Sequence, residues 1–270
     1  MKKYLVQEDA KLSAFTDDHC AAASFCFKTL LKSRDVRVNG VRVSTDVALK
    51  KGDEVSYYLS PAREKKQGFY ILYEDDCITV VDKESGVNSE AVFHALEERG
   101  KTYFIHRLDR NTAGLLLFAK TDAAAQELLN AFRERRIQKQ YLALVVGTPP
   151  LPHAVLTAYL KKDAASSTVQ IFDRPVGEKI VTEYEVLSQA DAHTSLLKVT
   201  LHTGKTHQIR AHLAHIGNPV VGDEKYGDNA FNRTLHATRQ RLVAKTLILH
   251  LSGELSYLDG KKFTSTFSPV

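Results

Sequence analysis

The chain has 270 residues, of which 43% are hydrophobic and 26% charged, values typical of a globular protein with an ordinary core. These values exclude disordered, collagen-like and low-complexity classes, and no apolar run approaches the roughly 20 residues that cross a bilayer. The net charge is +5, the first residues lack the apolar stretch of a signal peptide, and the three cysteines form no C-x-x-C pair. We therefore expect a cytoplasmic protein without a disulfide framework or a thiolate zinc site.

The first sixty residues have the pattern of a small separate unit. A helix is predicted from Ala21 to Ser33, and Val36–Val43 alternates strictly between apolar and polar residues about Asn39-Gly40. Asn-Gly tolerates the positive φ angles of a type I′ turn, so this segment predicts a β-hairpin. A further strand is expected from Glu54 to Leu59.

Residues 61–68 are charged and poor in apolar side chains, so we predict two domains, 1–60 and 69–270, joined by this linker. The second domain has the pattern of short strands alternating with helices. Its predicted strands are Tyr70–Tyr73, Cys77–Val81, Leu115–Ala119, Tyr141–Val146, Val181–Leu187, Leu196–Leu201, Thr246–Leu251 and Phe263–Phe267. Its predicted helices run from Asp122, as the N-cap, to about Arg136 and from Gln208 to Ile216, where Gly217 ends the helix.

Basic residues concentrate in three stretches with few acids between them. They are Lys28, Lys32, Arg34, Arg37 and Arg42 near the N-terminus, Arg133, Arg136 and Lys139 in the middle, and Arg239 and Arg241 near the C-terminus. A single cluster of this kind is commonly a solvated face, but three of them favour a polyanionic partner. We therefore expect these side chains to contact the phosphates of a nucleic acid, which positions it without reading its sequence.

The densest polar segment is His106–Gly114, which leads directly into an apolar strand. Asp109 lies between Arg107 and Arg110, and nearby positive charges keep a carboxylate ionised, which suits it to act as a nucleophile or base. The alternative is an aspartate in a surface turn with ordinary ion pairs. The segment lacks the adjacent Arg-Asp of a kinase loop, and Gly204-Lys205-Thr206 lacks the leading glycine of a P-loop, so no nucleotide cofactor is expected.

Four histidines lie close together in the sequence: His202, His207, His212 and His215. No carboxylate lies among them and they form no H-E-x-x-H pattern, so no metal site is predicted. We expect His207 and its neighbours to orient a loop or to contact a phosphate.

Several sequence motifs follow one another in a fixed order between residues 70 and about 250. They are His106–Lys120 with the pattern H-R-L-D-x-x-T-[SA]-G, Lys139–Val145 with K-x-Y-x-A-x-V, Thr182–Leu187, Thr203–His212 with T-G-[RK]-T-H-Q-I-R-x-H, and Ile216–Gly227. In this order the motifs resemble those of the RluA-type pseudouridine synthases. Lys83-Glu84-Ser85-Gly86 departs from that family's Lys-Pro-x-Gly, because Glu84 replaces a proline that would stiffen the turn.

The resemblance implies an α+β fold with a mixed, largely antiparallel bent sheet and flanking helices. It implies isomerisation of a uridine to pseudouridine in a structured ribosomal or transfer RNA, with the target base flipped out of its stack and with no cofactor or metal. The implied catalytic residues are Asp109, Tyr141 and Arg210, and the implied substrate-binding residues are Arg107, His106, Arg110, Thr112, His207 and Gln208.

The resemblance also implies individual roles for three of these residues. Arg107 would fill the space that the flipped base leaves, because a planar guanidinium stacks where a base was. Tyr141 would stack on the uracil or take part in the proton step at C5, and Arg210 would pair with Asp109.

The N-terminal unit is similar to the alpha-L RNA-binding module that many of these enzymes carry. The similarity rests on the basic helix, the Asn39-Gly40 hairpin and Leu49–Val55. The opening departs from the module, since Lys11-Leu12-Ser13 stands where the module has Arg-Leu-Asp.

Two other functions stay open from the sequence. One is a catalytically silent RNA-binding or ribosome-assembly factor with the same fold. The other is an N-glycoside hydrolase, although hydrolases of the common type use two acids and no second acid lies near Asp109 in sequence. Nothing in the sequence demands more than a monomer.

Overall fold

The computed structural model describes residues 1–64, 67–163 and 168–270. Its first elements are β1 (Lys2–Leu5), β2 (Ala10–Lys11), α1 (Leu12–His19), α2 (Ala21–Ser24), α3 (Phe27–Ser33), β3 (Val36–Val38), β4 (Val41–Val43), β5 (Ala48–Leu49) and β6 (Glu54–Tyr57). Four of the strands form an antiparallel sheet in the order β1-β6-β3-β4, and β2 pairs with β5. The hairpin of β3 and β4 is confirmed, with positive φ angles of 50° at Asn39 and 80° at Gly40.

The predicted helix over 21–33 is wrong in its middle. The helices α2 and α3 are separated at Cys26, whose φ of −129° and ψ of 21° are not helical. Phe25 belongs to the core of the following domain, whereas Phe27 belongs to the core of the N-terminal unit. The chain turns between these two rings, and each side chain thereby reaches a different core. The helix α1 upstream has no counterpart in the sequence prediction.

The predicted linker contains a short helix, α4 (Pro61–Glu64), and the linker residues Lys65 and Lys66 lie outside the described residues. The remaining elements are β7 (Phe69–Glu74), β8 (Ile78–Lys83), α5 (Ser89–Glu97), β9 (Tyr103–Phe104), β10 (Ala113–Ala119), α6 (Asp122–Arg133), β11 (Ile137–Val146), β12 (His153–Asp163), β13 (Thr168–Phe172), β14 (Glu178–Gln189), β15 (Thr194–Leu201), α7 (Gln208–His215), α8 (Asn229–Thr234), β16 (Leu242–Leu249) and β17 (Lys262–Thr264), with a 3₁₀ helix at Gly253–Leu258.

These strands form one large sheet in the order β13-β12-β14-β15-β11-β16-β10-β8-β7, with β17 beside β16 and β9 beside β10. Every described pairing is antiparallel except that of β10 with β16. The predicted α+β class with a mixed, largely antiparallel sheet is confirmed.

The central strand β10 is buried along its whole length because helices cover both faces of the sheet. Leu116 and Phe118 point into a core that also contains residues of α5 and α7, and Leu115 and Leu117 point into a core that contains residues of α6. This alternation follows from the period of two in a strand. The residues just before β10 are therefore held on a rigid base.

Helix α6 differs from its prediction at both ends. Thr121, rather than Asp122, is the N-cap, since its hydroxyl accepts a hydrogen bond from the Ala124 N–H at 3.1 Å. The helix ends at Arg133, because Arg135 takes a positive φ of 61° and the chain turns into β11.

Candidate active site

Asp109 lies in a loop of residues 105–112 between β9 and β10, named here the Asp109 loop. The loop borders a cavity of about 830 Å³, the main cavity, together with side chains of β11 and residues 204–210 at the start of α7. The loop is fixed to its surroundings, since Ser89 Oγ donates to Leu108 O and accepts from Leu108 N, both at 3.0 Å. Thr112 N donates to Asp109 O at 3.0 Å.

Asp109 is paired with an arginine from α7. Arg210 Nη1 donates to Asp109 Oδ2 at 2.8 Å, while Arg210 Nε and Nη2 donate to the two oxygens of Asp223 at 2.6 and 2.9 Å. Only 7% of the Arg210 side chain is exposed, and Asp223 is fully buried. One guanidinium thus binds two carboxylates, and the bidentate contact with Asp223 fixes the plane of the guanidinium.

The charges of this trio support one another. Burial opposes the charged form of Arg210, but hydrogen bonds and charges of Asp223 and Asp109 raise its pKa above the ordinary value. Burial likewise opposes ionisation of Asp223, but the hydrogen bond and charge of Arg210 lower its pKa. Within the described residues, Asp109 Oδ1 accepts no hydrogen bond, so Arg210 orients the carboxylate and leaves one oxygen free. This suits Asp109 to attack a substrate or to take a proton.

Tyr141 borders the same cavity from β11. The pairing of β11 with β16 shifts register between Gln140 and Tyr141, and such a bulge re-aims the side chain that follows it. Burial, and then the charge of Asp109, raise the pKa of Tyr141 above its usual range, so the phenol is neutral at physiological pH. Within the described part of the chain its hydroxyl has no hydrogen-bond partner.

His207 stands directly before α7 in a left-handed conformation with φ of 55°. Tyr226 OH accepts from Val169 N at 2.8 Å and makes a hydrogen bond of 2.8 Å with His207 Nδ1. The other ring nitrogen of His207, Nε2, lies 3.9 Å from Asp109 Oδ2. Burial lowers the pKa of His207, which keeps the ring neutral.

Three predicted substrate-binding residues border the main cavity but use their polar atoms elsewhere. Gln208 is buried, and its amide makes four hydrogen bonds, accepting from Thr203 Oγ1 and Lys205 N and donating to Val181 O and Thr182 Oγ1. Thr112 Oγ1 accepts from Gln240 Nε2 at 2.8 Å.

His106 is the third of these residues. Its Nε2 accepts from Leu117 N at 3.1 Å, and burial lowers its pKa to about 3. The hydrogen bonds of Gln208 and His106 hold the loop and the strand in place, and their direct contact with substrate stays a prediction.

The two arginines beside Asp109 differ in their surroundings. The side chain of Arg107 is 67% exposed and its Nη1 lies 3.0 Å from Glu90 Oε1. An exposed pair of this kind contributes only about 0–1 kcal/mol, so Arg107 is free to change partners. Arg110 is mostly buried, and its guanidinium pairs with Asp17 of the N-terminal unit.

Lys139 and Arg133 form the basic wall of the main cavity. Burial and the charge of Arg135 lower the pKa of Lys139. No carboxylate among the described residues lies within ion-pairing distance of its Nζ, which lies 5.5 Å from the Phe132 ring and close to Gly204. Arg136 pairs with Glu127 and Glu134 and donates to His250 O, and its contact with RNA stays a prediction.

A second cleft of about 670 Å³ lies between α3 and residues 238–243 and shares Arg110 and Asn111 with the main cavity. Lys28, Arg239 and Arg241 border it, and all three are exposed. The other predicted basic residues of the N-terminal unit are on its surface: Lys32, Arg34 and Arg42 are exposed, and the half-buried Arg37 covers the Tyr58 ring at 4.9 Å.

Two important residues of the site carry no role in the sequence analysis. Asp223 and Tyr226 lie in the matched segment Ile216–Gly227, and that match was the available signal. The described residues contain no group of three or more His, Cys, Asp or Glu arranged to hold a metal ion. Nor does any described helix combine the length and apolar character needed to cross a membrane.

Comparisons with known proteins agree with this geometry. Residues 77–215 match the family described as RNA pseudouridylate synthase. The Ribosomal large subunit pseudouridine synthase C of Vibrio cholerae is 34% identical over 231 residues, which are 75% of this chain and 72% of that protein. The protein of the same name from Salmonella typhi is 34% identical over 246 residues, 82% of this chain and 76% of that protein.

A solved structure, Human RNA Pseudouridylate Synthase Domain Containing 1, aligns with a TM-score of 0.59 at 26% identity and covers 74% of this chain and 91% of that one. The resemblance to the RluA-type enzymes is thus confirmed for the large domain, while the family match begins at residue 77 and leaves the N-terminal module a prediction. The chain belongs to the RNA pseudouridylate synthase family and is an isomerase that acts on RNA.

Proposed function

We propose that this synthase isomerises a uridine of large-subunit ribosomal RNA, as a cytoplasmic monomer, with Asp109 as the catalytic residue. The observation that carries the proposal is the Asp109 carboxylate itself, held at Oδ2 by Arg210 with Oδ1 left free beside Tyr141. The names of the Vibrio and Salmonella relatives support large-subunit ribosomal RNA as the substrate.

All bonds that break and form during the isomerisation lie within the nucleotide, so the reaction needs no oxidant or reductant. The N1–C1′ bond breaks, the uracil turns, C5 bonds to C1′, the proton on C5 is lost and N1 gains one. Asp109 acts at C1′ or at C6, or removes a proton to give a glycal-type intermediate. Arg210 holds the carboxylate at Oδ2 during this step, and the neutral Tyr141 presents both an aromatic face for the uracil and a hydroxyl for the proton at C5.

The target base must leave its stack, which costs on the order of a few kcal/mol. Arg107 is suited to occupy the vacated space, because its guanidinium is planar and its contact with Glu90 is easily exchanged. Lys139 and Arg133 would hold phosphates in the main cavity, and Lys28, Arg239 and Arg241 would hold phosphates in the second cleft. Residues 1–60 would act as an alpha-L-type RNA-binding module.

The test is tritium release from RNA labelled at uridine C5, taken from a strain that lacks this gene and separated into ribosomal and transfer RNA. The native chain is compared with Asp109→Asn and with Asp76→Asn, a matched control at an exposed aspartate remote in sequence from the loop. The proposal expects release from ribosomal RNA by the native chain and the control, and none by Asp109→Asn.

Other outcomes contradict separate parts of the proposal. Release by Asp109→Asn would contradict the catalytic role of Asp109, and release from transfer RNA alone would contradict the substrate. Free uracil among the products would favour the hydrolase, and a native chain that binds ribosomal RNA without any release would favour the silent binding factor.

A further inference from the structure

Asp17, in α1 of the N-terminal unit, is a buried acid with an unusual set of partners. Only 4% of its side chain is exposed. Ser24 Oγ donates to Oδ1 at 2.5 Å, while Asn88 Nδ2, at 3.0 Å, and Arg110 Nη2 donate to Oδ2. A buried carboxylate is stable only when it is paired and hydrogen-bonded, so these donors are a requirement of the fold. Two of them belong to the catalytic domain.

The first catalytic-domain donor is Arg110, the residue directly after Asp109. Arg110 is 93 positions from Asp17 in the sequence, and its main-chain carbonyl accepts from Gly86 N at 2.9 Å and from Lys83 Nζ at 3.1 Å. The Arg110 backbone is thus fixed by the catalytic domain, while its side chain is fixed by the N-terminal unit.

The second catalytic-domain donor, Asn88, is connected through Ser89 to Leu108, the residue directly before Asp109. Asn88 caps α5, since its Oδ1 accepts from Ser89 N at 3.1 Å, and its Nδ2 is the group that binds Asp17. The Ser89 hydroxyl in turn makes both hydrogen bonds to the main chain of Leu108. Asp17 therefore acts on the Asp109 loop from both sides of the catalytic carboxylate.

An apolar contact holds the N-terminal unit against the catalytic domain at the same place. Ala21 and Phe25 of the N-terminal unit are buried in the core that contains Phe69, Val87 and Val92. The rings of Phe25 and Phe69 meet edge to face with centroids 6.0 Å apart. This burial excludes water from the neighbourhood of Asp17, which strengthens its contact with Arg110.

We propose that Asp17 is a positioning residue for the isomerase reaction, so that the N-terminal unit completes the active site in addition to binding RNA. Asp17 holds Arg110 and Asn88, and through them it fixes the segment that carries Asp109. A catalytic group displaced by about 1 Å loses about 100-fold in rate, so a loosened loop lowers the rate of the chemical step and leaves RNA affinity largely intact. The inference rests on the proposed role of Asp109.

The test measures single-turnover pseudouridine formation at saturating RNA, together with the Kd for RNA, in full-length variants. Asp17→Asn keeps the shape and removes the charge, Asp17→Glu restores the charge, and Asp18→Asn is the control at the exposed neighbouring acid. We expect Asp17→Asn to lose about tenfold or more in the rate constant with Kd within twofold, Asp17→Glu to recover part of the loss, and Asp18→Asn to match the native chain.

Ser24→Ala tests the proposal even if Asp17→Asn fails to fold, because it removes one donor to Asp17 and leaves the charges of Asp17 and Arg110 paired. We expect it to remain folded by circular dichroism and to lose a smaller part of the rate, about twofold to fivefold. Native rate constants in both Asp17→Asn and Ser24→Ala, or a loss confined to Kd, would overturn the inference. A native chain that forms no pseudouridine would instead contradict the proposed function, so the two failures are distinguishable.

Discussion

The contact between Arg210 and Asp223 offers the sharpest test of how the active site is built. Among the described residues, the Asp223 carboxylate accepts four hydrogen bonds, from Nε and Nη2 of Arg210 and from the main-chain N–H groups of Lys225 and Tyr226. In Asp223→Asn the carboxylate charge disappears and one oxygen becomes an NH₂ group. This NH₂ replaces the oxygen that now lies 2.6 Å from Arg210 Nε, so two donors face each other.

The expected loss of stability follows from this geometry. Removing one partner of a buried ion pair costs about 3–5 kcal/mol. Arg210 retains Asp109 at 2.8 Å as a counter-charge, so we expect the lower end, about 3 kcal/mol in the free energy of unfolding at pH 7. Because the pKa of Asp223 is lowered in the folded state, its charge stabilises the fold above the unfolded pKa of 3.8 and the contribution is lost as the pH falls below it.

In Asp223→Asn the rate of pseudouridine formation should fall by more than the loss of stability would explain. Arg210 loses the bidentate contact that fixes its plane, and a displacement of about 1 Å at a catalytic group costs about 100-fold in rate. Urea unfolding followed by circular dichroism and single-turnover pseudouridine formation give the two quantities, with Asp76→Asn as the exposed control. A free energy of unfolding within 0.5 kcal/mol (about the usual spread of neutral surface substitutions) and a rate within twofold of the native values would refute this reasoning.

Three further predictions concern other parts of the molecule. Lys139→Gln should weaken RNA affinity a few-fold, because it removes a cation from the wall of the main cavity, and filter binding that shows native affinity would be contrary to a phosphate contact. Burial lowers the pKa of Lys83 to about 7, so the unfolded chain binds more protons than the folded chain between pH 7 and 9, and the free energy of unfolding should rise over this range. Lys83→Met should remove the rise, and an equal rise in both proteins by urea titration would disprove this cause. Phe25→Ala should reduce stability by about 3–5 kcal/mol through loss of its contact with Phe69, and an unchanged thermal midpoint would show that the N-terminal unit is not docked there.

Local patterns predicted the local structure of this chain well. The alternation about Asn39-Gly40 identified the hairpin, because those two residues alone accept its positive φ angles without strain. The break at Cys26 was not predictable in this way, since it exists because Phe25 and Phe27 enter two different cores. Tertiary packing, rather than the local sequence, therefore determines where this helix breaks.

The site shows the same division. The pair of Asp109 and Arg210 was expected from the resemblance alone, since the two residues are 101 positions apart and no spacing rule joins them. Asp223 carried no signal of its own, because a single acid in a loop has the same appearance whether it is buried or solvated. Gln208 was expected to face the substrate, and only the structure shows that its amide is saturated by the neighbouring loop and strand.

The long separation between Asp109 and Arg210 has a consequence for biosynthesis. A ribosome adds about 5–20 residues per second, so about 5–20 s pass between the synthesis of Asp109 and that of its partner. During this interval the nascent chain holds an aspartate that nothing orients, and the Asp223 that fixes Arg210 is made later still. On the proposed roles of these residues, the enzyme becomes competent only after Asp223 has been translated, and a chain that terminates before α7 forms no pseudouridine.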